Sequence, residues 1–175
     1  MSKVIIIYST TDGHTKRICS RIEQVIKDAG DDVKVVSIDD VGSVDVTSFD
    51  KIVIGASIRY GVHHKKVYDF IRVNHEMLDS KPNAFFSVNV VARKPEKNQP
   101  DTNPYLKKFL KEITWQPNQL AVFAGKIDYP RYSFLDRNII RFIMWMTKGP
   151  TDPAETIEFT DWKQVEDFAH VVSEM

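Results

Sequence analysis

Five times along this chain a short run of β-branched and aliphatic residues returns, and a longer amphipathic stretch separates each run from the next. Lys3–Tyr8 is nearly unbroken in its apolarity, which suits a strand covered on both faces rather than one. Runs of the same kind follow at Val33–Ile38, Lys51–Gly55, Asn83–Val90 and Leu120–Gly125. Three helices are expected between them. Thr15–Ala29 carries Ile18, Ile22, Val25 and Ile26 on one face and stops at Gly30; His63–Leu78 turns Val67, Phe70, Ile71 and Leu78 inward; Thr102–Ile113 is the third. The polar stretch from Arg93 to Asn103 contains Pro95 and Pro100 and reads as a loop. Ile157–Phe159 allows one more short strand, and Thr160 stands where it would cap a last helix over Asp161–Val172. Strands alternating with helices build a parallel sheet. The expected fold class is therefore α/β, a doubly wound five-stranded parallel sheet of order 2-1-3-4-5, as one domain over residues 1–175. Ligands of such sheets bind beyond the carboxyl ends of the strands, where the winding reverses. Chemistry is thus expected after the first, third and fourth runs.

The first run leads directly into Ser9-Thr10-Thr11-Asp12-Gly13-His14-Thr15 and then a helix. Hydroxyls and backbone amides at a helix N-terminus make an anion site, and Gly13 lets the backbone come close to the anion. The loop has neither the Walker lysine nor a G-x-G-x-x-G spacing, so it is neither an NTPase loop nor a dinucleotide fingerprint. It suits a terminal phosphate monoester; a capped turn with no ligand would have the same residues. Asp12 would repel a phosphate and is expected to point away or to cap the helix. His14 is expected either at the site or in a structural hydrogen bond. The third run ends in Ala56-Ser57-Ile58-Arg59-Tyr60-Gly61, which offers a ring for stacking and a fork of donors for an acid. The fourth continues through Ser87-Val88-Asn89-Val90-Val91-Ala92.

Lysine plus arginine and aspartate plus glutamate number 24 each. A zero balance excludes a general nucleic-acid binder, which needs excess positive charge. Cys19, the single cysteine, has no disulfide partner and no metal-ligand spacing around it; a packed residue in a reducing cytosol is expected. Trp115 and Trp162 are expected as core or edge anchors. No apolar stretch is long enough to span a bilayer, and the short run after Met1-Ser2-Lys3 lacks the features of an export leader. The oligomeric state is left open, a homo-oligomer included.

Gly55–Gly61, Ser87–Lys97, Thr102-Asn103, Tyr129-Pro130-Arg131-Tyr132 and Thr160-Asp161-Trp162, in this order after the loop at Thr10–Thr15, resemble the menaquinone-dependent, FMN-containing protoporphyrinogen oxidases of bacterial haem synthesis, members of the flavodoxin superfamily. The resemblance covers essentially the whole chain. It implies a flavodoxin-like fold, with FMN held by Ser9, Thr10, Thr11, Gly13, His14 and Thr15, by Ala56, Ser57, Ile58, Arg59, Tyr60 and Gly61, and by the Ser87–Ala92 segment. It implies protoporphyrinogen IX as substrate and a membrane quinone as electron acceptor. Arg59, Tyr60 and His63 are the catalytic candidates, though His63 and His64 suit the solvated start of a helix equally well. A flavodoxin-type electron carrier and an FMN-dependent NAD(P)H:quinone reductase are the alternatives; the zero net charge suits an acidic carrier poorly.

After the fifth run comes a segment, about residues 126–150, that a minimal fold of this kind does not need. On a helical wheel over Phe134–Thr147, Arg137 and Arg141 align with Lys148, while Leu135, Ile139, Phe142, Ile143 and Met146 take the opposite side and Trp145 lies between. Five cations (Lys126, Arg131, Arg137, Arg141, Lys148) face two carboxylates, Asp128 and Asp136. A basic amphipathic helix with Trp and Phe suits a membrane surface; packed on the core by its apolar side it would be an ordinary helix. The first reading is favoured, since the sheet is complete without it and since the resembled family has a long insert here and passes electrons to a membrane quinone; the resemblance thereby implies a protein of the cytoplasm, peripherally on the inner face of the membrane. The substrate's apolar ring and propionates would find Tyr129, Tyr132, Phe134 and Trp145 as a wall, and Arg131, Arg137 and Arg141 as cations.

Overall fold

In the computed structural model, which describes residues 1–175, Val4 to Ile7 of strand β1 (Lys3–Ser9) have no exposed surface. β1 lies between β2 (Asp32–Ser37) and β3 (Lys51–Arg59), parallel to both, with Ile6 opposite Val35 on one side and Val53 on the other. β5 (Asn83–Asn89) and β6 (Gln119–Ala124) extend the sheet to the order β2-β1-β3-β5-β6. Set aside the short β4 (Val62–His63), and this is the expected 2-1-3-4-5 order. Period-two alternation divides the core. Val4 and Ile6 point to helices α1 (His14–Asp28) and α5 (Trp162–Glu174), packing with Ile18, Ile22, Val165 and Phe168. Ile5 and Ile7 point the other way, to α2 (Lys65–Asp79) and α3 (Pro104–Glu112), packing with Val67, Ile71, Leu106 and Phe109. Cys19 and Trp115 are fully buried and Trp162 half-buried at the edge, as expected. A Cβ on Gly55 would sit 2.0 Å from the tip of the Phe86 ring, so β3 needs glycine where it approaches the site.

Local chemistry moves several boundaries. His63 does not open a helix. β3 continues to Arg59 and folds back antiparallel through the two-residue turn Tyr60-Gly61, pairing Ile58 with His63 and Arg59 with Val62. Both turn residues have positive φ, 52° and 81°, the signature of a type I′ hairpin. α2 starts only at Lys65, where the His64 ring accepts from the Lys66 amide. Asn103 caps α3 by accepting from Leu106, which leaves Thr102 outside it. Asp161, not Thr160, caps α5 by accepting from Lys163 and Gln164. The Thr160 hydroxyl instead donates to the Ala124 carbonyl at 2.7 Å. Within the polar 93–103 stretch, Pro95–Lys97 forms a short 3₁₀ turn, following another at Val90–Arg93.

The segment after β6 makes its own small unit. β7 (Lys126–Asp128) pairs antiparallel with β8 (Thr156–Glu158), so the excursion closes later than the expected residue 150. α4 (Phe134–Met146) lies between them, over a core of Ile127, Tyr129, Tyr132 and Met144. Its orientation reverses that of an ordinary amphipathic helix. Ile140, Ile143 and Met144 turn inward, and Arg137 and Arg141 are half-buried on the same side. Phe134, Leu135, Phe142, Trp145 and Met146 are exposed, Phe134 by 79% and Trp145 by 70%. No helix is long and apolar enough to cross a membrane.

His63 lies in the core against Phe85 and Phe109, with Nε2 2.9 Å from the Ser87 hydroxyl. Burial pushes its pKa from the ordinary 6.5 down to about 3. The folded ring stays neutral where the unfolded one takes up a proton. This contribution to stability is therefore complete above pH 6.5 and is lost as the pH falls toward 3. Urea unfolding followed by far-UV circular dichroism between pH 7 and pH 4 checks this: the midpoint falls in the parent, and His63→Phe flattens that fall.

Candidate functional site

Of the five α-helices only α1 starts without a side-chain cap; His64, Asn103, Ser133 and Asp161 cap the others. Its N-cap is Gly13, with φ +85° and open space around it. The Thr10 hydroxyl accepts from the Gly13 amide at 3.0 Å and folds the loop back, while the first amides of α1 remain free. The side-chain hydroxyl of Thr15 is buried with no hydrogen-bond partner. A buried polar atom without a partner costs about 1–3 kcal/mol. Free amides, the positive end of a four-turn dipole and an unpaired hydroxyl together fit a phosphate monoester.

This loop forms one end of a cavity of about 410 Å³. Its wall takes Thr10–Thr15 and Arg17 from the first βα turn, Ser57–Gly61 from the β3 hairpin and Val88–Val91 after β5. The far side comes from Gly125–Asp128, Arg131, Tyr132 and three residues of α4, Ile140, Ile143 and Met144. Three strand ends anticipated from the alternating pattern therefore meet at one place. Ser9, Ala56, Ser87 and Ala92 do not line it, and all four are buried. Ser87 instead joins a buried network with His63, Asn89 and Asn103 that fixes the loop from behind.

His63 does not reach the cavity; Arg59 and Tyr60 do. Tyr60 holds a left-handed conformation, which strains a non-glycine residue by about 1–3 kcal/mol. Its hydroxyl donates to the Asp136 carboxylate at the start of α4, coupling the hairpin to the helix. Asp12 neither caps α1 nor points away; its carboxylate accepts from Arg59 at 2.6 Å. His14 both lines the cavity and makes the structural bond. Its Nε2 lies 2.7 Å from the Thr160 hydroxyl, whose proton goes to Ala124, so Nε2 carries the donated proton. Burial is the main cause that lowers the His14 pKa.

Of the proposed substrate contacts, the structure brings Arg131 and Tyr132 to the cavity and keeps Tyr129, Phe134, Trp145, Arg137 and Arg141 from it. Tyr129 is buried and donates to the Pro150 carbonyl; Arg141 donates to the Thr151 carbonyl. Both hold the segment together. Tyr105, Lys126, Ile140, Ile143 and Met144 are lining residues that residue patterns missed. Ile140 and Met144 lie apart from the Phe/Leu/Trp arc on the α4 wheel, which was the available signal for them; Ile143, placed by the wheel with the outward arc, instead turns inward to the cavity.

Residues 5–154 match a family model described as a flavodoxin domain. The chain is 42% identical over 173 residues to the Escherichia coli K12 protein named protoporphyrinogen IX dehydrogenase (quinone), covering 99% of this chain and 96% of that one. It is 43% identical over 171 residues to the Leishmania major protein of the same name, covering 95% of this chain and 73% of that one. Among solved structures, two-electron reduced Megasphaera elsdenii flavodoxin superposes with a TM-score of 0.60 at 16% identity, over 98% of this chain and 99% of that one. A short-chain flavodoxin associated with a bacterial microcompartment gives 0.57 at 12% identity, over 99% and 98%. These two describe the fold.

Thr15→Val removes the unpaired hydroxyl while keeping its shape. The ligand-free protein is expected to be at least as stable as the parent, while affinity for FMN falls about tenfold or more and affinity for riboflavin, which lacks the phosphate, is unchanged. Flavin fluorescence titration checks both.

Proposed function

The chain belongs to the protoporphyrinogen IX dehydrogenase (quinone) family of flavodoxin-domain proteins, and from that premise we propose that it binds FMN, oxidises protoporphyrinogen IX to protoporphyrin IX in haem formation, and passes the electrons to a membrane quinone. The observation that carries this reading is the double role of α4. Ile140, Ile143 and Met144 wall the cavity, while Phe134, Leu135, Phe142, Trp145 and Met146 face outward on the same helix. One helix thus stands between the redox site and an apolar phase, where both a quinone and a reduced tetrapyrrole are soluble. An electron carrier that meets its partners in water needs no such face.

Each part of the site has a task. The open end of α1 and the Thr15 hydroxyl hold the phosphate. The Val88–Val91 backbone and the β3 hairpin border the space beside it. Bound there, FMN supplies a two-electron acceptor for hydride from a bridging carbon of the substrate; full oxidation removes six electrons and therefore takes three cycles. The apolar residues of α4 and Tyr132 offer a wall for a flat macrocycle, and Arg59 and Arg131 offer cations for its propionates. The exposed arc of α4 lies down on the cytoplasmic face of the membrane as a peripheral anchor. Exposed Lys148 follows the helix and is positioned for anionic headgroups.

Holoprotein given protoporphyrinogen anaerobically is expected to develop porphyrin fluorescence only when a menaquinone analogue is added. Rapid flavin reduction by NADPH with no porphyrin formed would favour a soluble quinone reductase, and neither reaction would favour a carrier. Phe142→Asp is expected to lower sedimentation with anionic phospholipid vesicles about tenfold or more. It should slow turnover with menaquinone in vesicles and leave turnover with a water-soluble naphthoquinone unchanged. Equal vesicle binding by Phe142→Asp and the parent would remove α4 as the anchor.

A further inference from the structure

The Asp12–Arg59 pair is unusual for where it stands. The guanidinium lines the cavity, its carbon 5.4 Å from the centre of the Tyr132 ring and 5.9 Å from that of Tyr60. Its partner carboxylate belongs to the anion-binding loop, between Thr11 and Gly13. The Asp12 side chain turns to Arg59 and stays partly in water, away from the loop's amides. The pair is also asymmetric. The Arg59 side chain is 22% exposed and that of Asp12 40%. A sheltered guanidinium needs a carboxylate beside it, whereas Asp12 can return to water at small cost. If a competing carboxylate enters, Asp12 is the member that leaves.

The surroundings indicate what would enter. Two other cations of the wall are already paired, Arg17 with Glu158 at 2.8 Å and Lys126 with Asp128 at 3.7 Å. Arg131 is exposed and unpaired. The same cavity is lined by the apolar side chains of Ile140, Ile143 and Met144. A cavity lined by apolar side chains and by two guanidiniums, one free and one loosely held, suits a flat macrocycle bearing two carboxylates.

We propose that Arg59 is a carboxylate-exchange group, paired with Asp12 while the site is empty of substrate and released from it to a propionate of the tetrapyrrole, so that Asp12 sets the threshold for substrate entry. The proposal rests on the tetrapyrrole reading above. Asp12 acts as a positioning residue: it touches neither substrate nor product, and its strength as a competitor decides how readily Arg59 turns.

FMN-saturated holoprotein titrated with protoporphyrin IX, followed by porphyrin fluorescence, provides the test, with the dimethyl ester of the same porphyrin as the uncharged control. Arg59→Gln is expected to weaken protoporphyrin binding about tenfold or more. Asp12→Asn is expected to tighten it about threefold or more. In the Arg59→Gln background Asp12→Asn has no effect, and the ester is indifferent to both. Arg59→Lys, which keeps the charge without the planar fork, recovers only part of the loss. FMN affinity and the visible flavin spectrum in each variant separate effects on the phosphate loop. Unchanged affinity in Asp12→Asn overturns the exchange. So does equal tightening in both backgrounds, the mark of a general field effect. A parent that binds neither porphyrin overturns the tetrapyrrole reading itself, and the exchange falls with it.

Discussion

The open N-terminus of α1 is the constraint on which the site depends. A helix that starts without a cap leaves amides and a dipole directed at whatever lies beyond β1, and here the Thr15 hydroxyl adds a buried donor with no partner in the protein. Such an end is stable only as part of something larger. The parallel sheet supplies the rest, because β1, β3 and β5 all end on the same side. The anion site therefore has two further loops beside it as a consequence of topology.

Against that site the segment after β6 adds a wall and turns its helix the wrong way round for a soluble protein. Burying Ile140, Ile143 and Met144 commits one side of α4 to the cavity and to the Tyr129–Tyr132 core. The Arg93 guanidinium, donating to the Thr147 carbonyl, and Arg141, donating to Thr151, hold the helix in that attitude. The price is a continuous apolar arc left in water. On the reading proposed above, that arc is the means by which the protein stays where its acceptor is dissolved.

Much of the fold was legible because its signals are local and periodic. Continuous apolar runs read as doubly covered strands, and the strands pair in the order the alternation predicts. The loop that opens α1 at one end of the cavity was legible because hydroxyls, a glycine and a helix start are neighbours in the chain. The misreadings share a different cause. His63 resembles a residue at the solvated start of a helix, and only the β3 hairpin carries it into the core beside Ser87. Thr160 resembles a cap, but its hydroxyl finds Ala124 instead. Arg137 and Arg141 form a basic stripe on the wheel, yet the stripe lies on the buried side of α4.

The residue order alone determined the sheet, its winding and the open loop that starts α1, since these follow from hydrophobic period and turn chemistry over a few residues. Which way α4 faces, where Arg59 finds its counter-ion and which cations reach the cavity were decided only by the tertiary structure. Each depends on partners far away in the chain, Asp12 with Arg59 and Tyr60 with Asp136. A wheel records which residues share a helix face; only packing of the surrounding elements selects the face that is covered.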